Sequence, residues 1–277
     1  MSISLLRPYG EGQRAGPTQT GVAFTANYSA KPQSRVLLHG ASHSHQWLPT
    51  LVRVAKRHNW HLDARYHSAC DVYDADQSSH HHSGYPNPDP ACLQRLREEF
   101  TALTRGQPYD AAIVLGTYFS KHSGSREVAF DRHSSLHKET RGKLEAAGVH
   151  LIALRDTPRF TFRPTDCLAE QLGLRHSFQQ AQITCSRRPL GANREAAQQA
   201  NVSNWTFIDL NDFICPWDVK GDATAVYEER HCPSIVGNVP IYRDNDHMNR
   251  FYADSLAPAL ERALKRAGPS TRLKWMS

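Results

Sequence analysis

The stretch Arg35-Val-Leu-Leu-His-Gly-Ala-Ser-His-Ser-His-Gln-Trp-Leu-Pro49 decides the fold. Arg35 to Leu38 is a short, nearly all-apolar run of the kind that forms a buried strand, and it breaks at His39-Gly40. Glycine there permits a tight turn. Beyond it, Trp47, Leu48, Leu51, Val54 and Ala55 fall on one face of a helix. Strand, glycine turn, serine and helix in that order place Ser42 at the edge of a sheet, beside the helix N-terminus.

The same grammar repeats downstream. Trp60 to His67 alternates like a strand, with Leu62, Ala64 and Tyr66 on one side. Asp89-Pro90 opens a helix as cap and first residue, with Leu93, Leu96, Phe100 and Leu103 facing inward. Asp110-Ala-Ala-Ile-Val-Leu-Gly116 is a second buried strand. A helix over 126–147, a strand from Val149 to Leu154, a short helix near 192–200 and a strand from Trp205 to Leu210 continue the series. After a short strand from Val239 to Tyr242, Tyr252, Leu256, Leu260 and Leu264 mark a closing amphipathic helix. Strands separated by helices imply parallel β–α–β units, hence an α/β fold: a three-layer, doubly wound sandwich with a mostly parallel sheet. Residues 1–33 read as a flexible lead-in, 34–268 as the folded domain and 269–277 as a tail. The polar loop 71–88 and residues 155–191 read as irregular.

Bulk properties restrict the partners. The chain has 277 residues, 39% hydrophobic and 22% charged, with a formal charge of +6. Its mean hydropathy is −0.59. That describes a polar globule with one sizeable core. Lys and Arg are scattered rather than clustered, which argues against nucleic acid as partner. No apolar run approaches the roughly 18 residues needed to span a bilayer, and the N-terminus lacks the apolar stretch of a secretory signal.

Six cysteines occur, none in a CxxC pair. Read in sequence order, Cys70 with Cys92, Cys167 with Cys185 and Cys215 with Cys232 each close a short loop. Three disulfides in turn-rich insertions fit that spacing, although six cysteines allow fifteen pairings and reduced buried thiols are the alternative. Disulfides would point to an extracytoplasmic setting. Sixteen histidines are present. The run His80-His-His82 cannot easily converge on one ion and HExxH is absent, so a surface tract is expected and no catalytic metal.

In doubly wound sheets ligands bind beyond the carboxyl ends of the strands. That rule puts Gly40–Ser44, Gly116–Ser120, Arg155–Pro158 and Asp244–His247 on one rim. Ser42 either caps its helix or serves as a nucleophile with amides nearby for an oxyanion. In Asp244-Asn-Asp-His247, one turn can present His247 as base and Asp244 as its orienting acid. Asp246 is the competing acid, ranked lower because adjacent residues in a turn usually diverge.

A serine after the first strand and a DxxH before the last helix resemble the SGNH/GDSL hydrolase superfamily. The words Gly40-Ala-Ser-His-Ser-His-Gln-Trp-Leu-Pro49, Arg155-Asp-Thr-Pro158, Cys232-Pro-Ser-Ile-Val-Gly-Asn238 and Ile241-Tyr-Arg-Asp-Asn-Asp-His247 are similar to the C-terminal SGNH domains of acyltransferase family 3 membrane proteins. The cysteine spacing is also similar. The resemblance spans about residues 35–266. It implies a catalytic triad of Ser42, Asp244 and His247. The matching oxyanion positions are Ser42, Gly116 and Thr117. It implies O-acyl chemistry, usually acetyl, on cell-surface polysaccharide, as transferase or esterase, without a cofactor. It also implies an extracytoplasmic or cell-envelope setting and work beside a membrane acyltransferase domain. This chain would then be a separately encoded or truncated half. The family's first block reads Gly-Asp-Ser, whereas Ala41 holds its middle position here. The third-block region Gly116-Thr-Tyr-Phe-Ser120 has no asparagine. Those departures keep a second expectation open: an inactive SGNH domain serving as a glycan-binding or scaffold module.

Overall fold

The structure, a computed structural model, describes residues 13–18, 21–40, 42–66, 109–115, 144, 146–155, 157–158, 160–188, 206–225 and 229–276. For 13–18, 21–23, 40, 42, 66, 114–115 and 270 the backbone alone is described. The strands are β1 (Gln13–Thr18), β2 (Gly21–Asn27), β3 (Arg35–Gly40), β4 (His61–Tyr66), β5 (Ala111–Leu115), β6 (His150–Leu154) and β7 (Thr206–Ile208). They form one sheet in the order β1-β2-β4-β3-β5-β6-β7. From β4 to β7 every pairing is parallel. The chain steps from β3 to β4 on one side and returns to β5 on the other. Their carboxyl ends therefore diverge beside β3, and this is the crevice where open α/β sheets bind ligands.

Side-chain alternation divides the core between the two faces of the sheet. Val36 and Leu38 of β3 belong to the larger cluster, packed with Leu48, Leu51 and Val54 of α2 (Leu48–Arg57). Ile214 of α5 (Asn211–Ile214), Tyr252 and Ala253 of α6 (Arg250–Ser255), and Leu260 and Leu264 of α7 (Ala257–Arg266) complete that layer. Leu37 points the other way, to Ala112, Tyr109, Leu144 and Leu151. The sandwich and mostly parallel sheet expected from the sequence are present.

Several local expectations are corrected. Within the lead-in, β1 and β2 form an antiparallel hairpin that extends the sheet beyond β4. Among the described side chains of β2, Phe24 and Ala26 enter the core, and a hairpin this short gives no sustained period within a Gly-, Ser- and Thr-rich stretch. The irregular reading of 155–191 also fails in part, because α3 (Pro164–Gly173) and α4 (Phe178–Thr184) lie there. Pro164 opens α3, and the Ser177 hydroxyl caps α4 by accepting from Gln180 N–H. A satellite core of Leu168, Ala181 and Cys185 joins these helices, too small to impose a long apolar period.

Among the described residues, Val239–Pro240 (β9) pairs only with Ile235–Val236 (β8), outside the main sheet. The expected closing helix is two helices, α6 and α7, parted at Leu256. Pro258 lacks the N–H that a continuous helix would direct at Asp254. The expected tail is docked: Trp60 Nε1 donates to Lys274 O at 2.8 Å, Leu273 is buried and Trp275 packs against Trp60.

Disulfides join Cys167 to Cys185, tying α3 to α4, and Cys215 to Cys232. Cys70 and Cys92 lie outside the described residues, as do the loop 71–88, the helices expected over 89–103 and 192–200, and nearly all of 126–147. Among the described residues no helix is long and apolar enough to cross a membrane.

Candidate active site

Ser42 begins α1 (Ser42–His45) directly after β3, at the switch point of the sheet. Its side chain, Ala41, Gly116 and Thr117 lie outside the described part. The neighbouring side chains fix this segment. Ser44 Oγ donates to His39 O at 3.0 Å, anchoring α1 to the end of β3. His43 is buried, and its ring lies 4.6 Å from that of His247. The element bearing Ser42 is thus packed on the DxxH turn, about two hundred residues away in the chain.

That turn is closed on itself. Arg243 N–H donates to His247 O, Asn249 N–H donates to Ile241 O, and Tyr242 bridges to Met248. Inside the loop, Asp244 Oδ1 accepts from the amides of Asp246 (3.1 Å) and His247 (2.7 Å). This folds the chain back, so that the Asp244 carboxylate stands 3.1 Å from His247 Nδ1 through each oxygen. Asp246 Oδ1 is 3.0 Å from the same nitrogen. With three carboxylate oxygens around it, Nδ1 can only be the protonated, donating nitrogen. Nε2 is then the basic one. It is buried and has no hydrogen-bond partner among the described residues.

The expectation that Asp246 would point away is therefore corrected. The two acids converge because the Asp244 side chain caps the turn and curls it tightly around His247. Burial by itself would raise the Asp246 pKa, but the imidazoles of His247 and His43 outweigh it and hold the carboxyl well below the usual range. His43 Nε2 stands 3.6 Å from Asp246 Oδ2.

A strap holds the turn from outside. Gln46 Oε1 accepts from Met248 N–H at 2.7 Å, and its Nε2 donates to Thr157 Oγ1 at 3.2 Å. Thr157 Oγ1 in turn donates to Asp246 O at 3.2 Å. Phe160 N–H donates to Asn245 O at 2.8 Å. The rim word Arg155–Pro158 thereby supports the turn. His43, Gln46 and Thr157 stand inside the motif words of the sequence, and spacing along the chain assigns them no role.

His43, Asp246 and His247 each offer one donor atom within 4.8 Å of the others, a set of the kind that can hold a metal ion. Their mutual hydrogen bonds and ion pairs account for the same arrangement. Chemically, the site presents a basic imidazole nitrogen, oriented by carboxylates, at the crevice beside the segment that carries a serine.

A mostly parallel sheet with this switch point, its serine segment after β3 and its DxxH turn before the last helices define an SGNH-type hydrolase fold. The family model described as "SGNH domain (fused to AT3 domains)" matches residues 15–262, and the chain belongs to that family. It is accordingly of the esterase and acyltransferase kind. Among solved structures, the periplasmic domain of a lipopolysaccharide acetyltransferase from Salmonella ser. Paratyphi A is similar, with a TM-score of 0.56 at 14% identity. The match covers 86% of this chain and 85% of that one. None of the curated proteins compared matches the sequence.

Proposed function

We propose that this chain performs serine-dependent O-acyl chemistry, with Ser42 as nucleophile, His247 as general base and Asp244 as the acid that orients it. The observation that carries the reading is the state of His247: Nδ1 is held by carboxylate, while Nε2 is buried and, among the described residues, has no hydrogen-bond partner, next to the segment that begins with Ser42. A base so held can take the Ser42 hydroxyl proton as Oγ attacks an ester carbonyl. Collapse of the tetrahedral adduct expels the alkoxide, which receives the proton from His247, and leaves Ser42 acylated. A sugar hydroxyl or water, deprotonated by His247, then takes the acyl group and regenerates the serine. The amides of Ser42, Gly116 and Thr117 are the proposed oxyanion donors.

The acyl group we propose is acetyl and the acceptor a cell-surface polysaccharide, supported by the family and by the acetyltransferase with a similar fold. The same family supports a membrane acyltransferase domain as the partner that delivers the acyl group. Two disulfides support an extracytoplasmic setting. Ala41, where the family's first block carries aspartate, favours the alternative of an inactive glycan-binding module.

Hydrolysis of an aryl acetate by the purified chain and by Ser42→Ala separates the two. A rate that falls to the uncatalysed background in the variant supports the triad. Equal rates in both proteins refute it.

A further inference from the structure

We propose that Asp246, braced by His43, is a second orienting carboxylate for His247, so that the base is held by two acids rather than one. This rests on the reading of His247 as the general base. The two acids approach Nδ1 equally closely: 3.1 Å from Asp244 and 3.0 Å from Asp246. Asp244 divides its charge among other donors, since it also accepts two backbone amides and pairs with Arg243 Nε at 3.3 Å. Asp246 lies between two imidazoles, with the nearly inaccessible His43 ring 3.6 Å away on the opposite oxygen. The His43 ring is also packed on the His247 ring. Because His43 follows Ser42 directly, any shift of the nucleophile's segment is felt at Asp246, which links the serine and the base mechanically.

During acylation His247 becomes an imidazolium, and both carboxylates stabilise it. Neither is a proton acceptor, so the proton stays on the imidazole until it passes to the leaving alkoxide. Loss of one carboxylate leaves the tautomer and much of the charge stabilisation in place. Loss of both removes them, the situation that costs a sole-acid triad about 10⁴-fold. Asp246 and His43 are positioning residues in this scheme, because they act through His247.

Two measurements test the proposal. The first is a kinetic cycle of Asp244→Asn, Asp246→Asn and the double variant in aryl acetate hydrolysis. Each single change is expected to cost about 10-fold, and the double at least about 10³-fold. A double loss equal to or below the product of the singles overturns the shared role. His43→Asn is expected to cost as much as Asp246→Asn, and to add nothing in the Asp246→Asn background. An undiminished cost there overturns the bracing.

The second readout does not depend on turnover: the proton resonance of His247 Nδ1–H in the Ser42→Ala protein with labelled histidine. Asp246→Asn should move it upfield and speed its exchange, and an unmoved resonance overturns the contact. Should Ser42→Ala hydrolyse the ester as fast as the parent, the ester chemistry fails, yet the resonance still decides whether Asp246 holds His247.

Discussion

Replacing Gln46 with alanine is expected to loosen the base without touching it. Its side-chain oxygen is the partner of the Met248 amide, and Met248 is only 2% exposed. Truncation leaves that N–H buried and unpaired, at about 1–3 kcal/mol. Thr157 loses the Gln46 Nε2–H donor as well, worth about 1 kcal/mol. The sum is about 2–4 kcal/mol. Because Thr157 also holds the Asp246 carbonyl, and Met248 follows His247 directly, the loss falls on the turn that carries the base. A displacement of about 1 Å at a catalytic group can cost about 100-fold in rate. We therefore expect Gln46→Ala to unfold at lower urea, and to retain between about 1% and 10% of the serine-dependent rate. Tryptophan fluorescence is a suitable probe of unfolding, because Trp47 and Trp60 are both fully buried. Gln46→Glu keeps the acceptor for Met248 and should lie between the variant and the parent. Stability within about 0.5 kcal/mol of the parent, together with an unchanged rate, would show that the strap does not hold the turn.

Asp63 supplies a stability prediction. It is buried in β4 and accepts from His61 Nε2 (2.7 Å), Thr25 Oγ1 (2.6 Å) and Tyr109 OH (2.6 Å). Burial would raise its pKa, but those hydrogen bonds outweigh it and hold the carboxyl well below the usual range. A depressed folded-state value contributes stability that is complete above the unfolded value, about 3.9, and is lost as pH falls below it. The urea midpoint should therefore drop between pH 5 and pH 2.5. Asp63→Ala should start about 3–5 kcal/mol lower and vary less with pH, and parallel curves would exclude this linkage. Replacing Cys215 and Cys232 together by alanine opens a loop of 17 residues, and should cost about 3 kcal/mol in a thermal or urea melt. Deleting residues 269–277 removes Leu273 and the acceptor of the Trp60 indole, and should cost at least about 2 kcal/mol. An unshifted melt in that variant would mean the tail contributes nothing to the core.

Much of the architecture was legible because it is carried by local periodicity. The apolar runs of β3, β5 and β6, and the one-face spacing of α2, follow from burial on a sheet and need no knowledge of partners. The hairpin of β1 and β2 was not legible, because what secures it is long-range. Phe24 and Ala26 enter a core built from distant segments, and Thr25 donates to Asp63 across the sheet. The helices α3 and α4 were missed for a related reason: a disulfide and a three-residue core stabilise them in place of a long apolar stripe.

Sequence by itself determined which residues stand at the strand ends, and that Asp244 and His247 fall within one turn. Chain order and motif words sufficed, since a strand's carboxyl end is a local property. Only the tertiary structure decided what meets there. The return of the chain from β4 across to β5 makes β3 the switch point, and packing of α1 on the turn brings His43 onto His247. The Asp244 cap curls Asp246 inward, so that two carboxylates surround one imidazole nitrogen. The contacts of His43 and Gln46 with that turn join residues some two hundred positions apart, and the hydrogen bonds inside the turn depend on side-chain direction; residue spacing along the chain encodes neither.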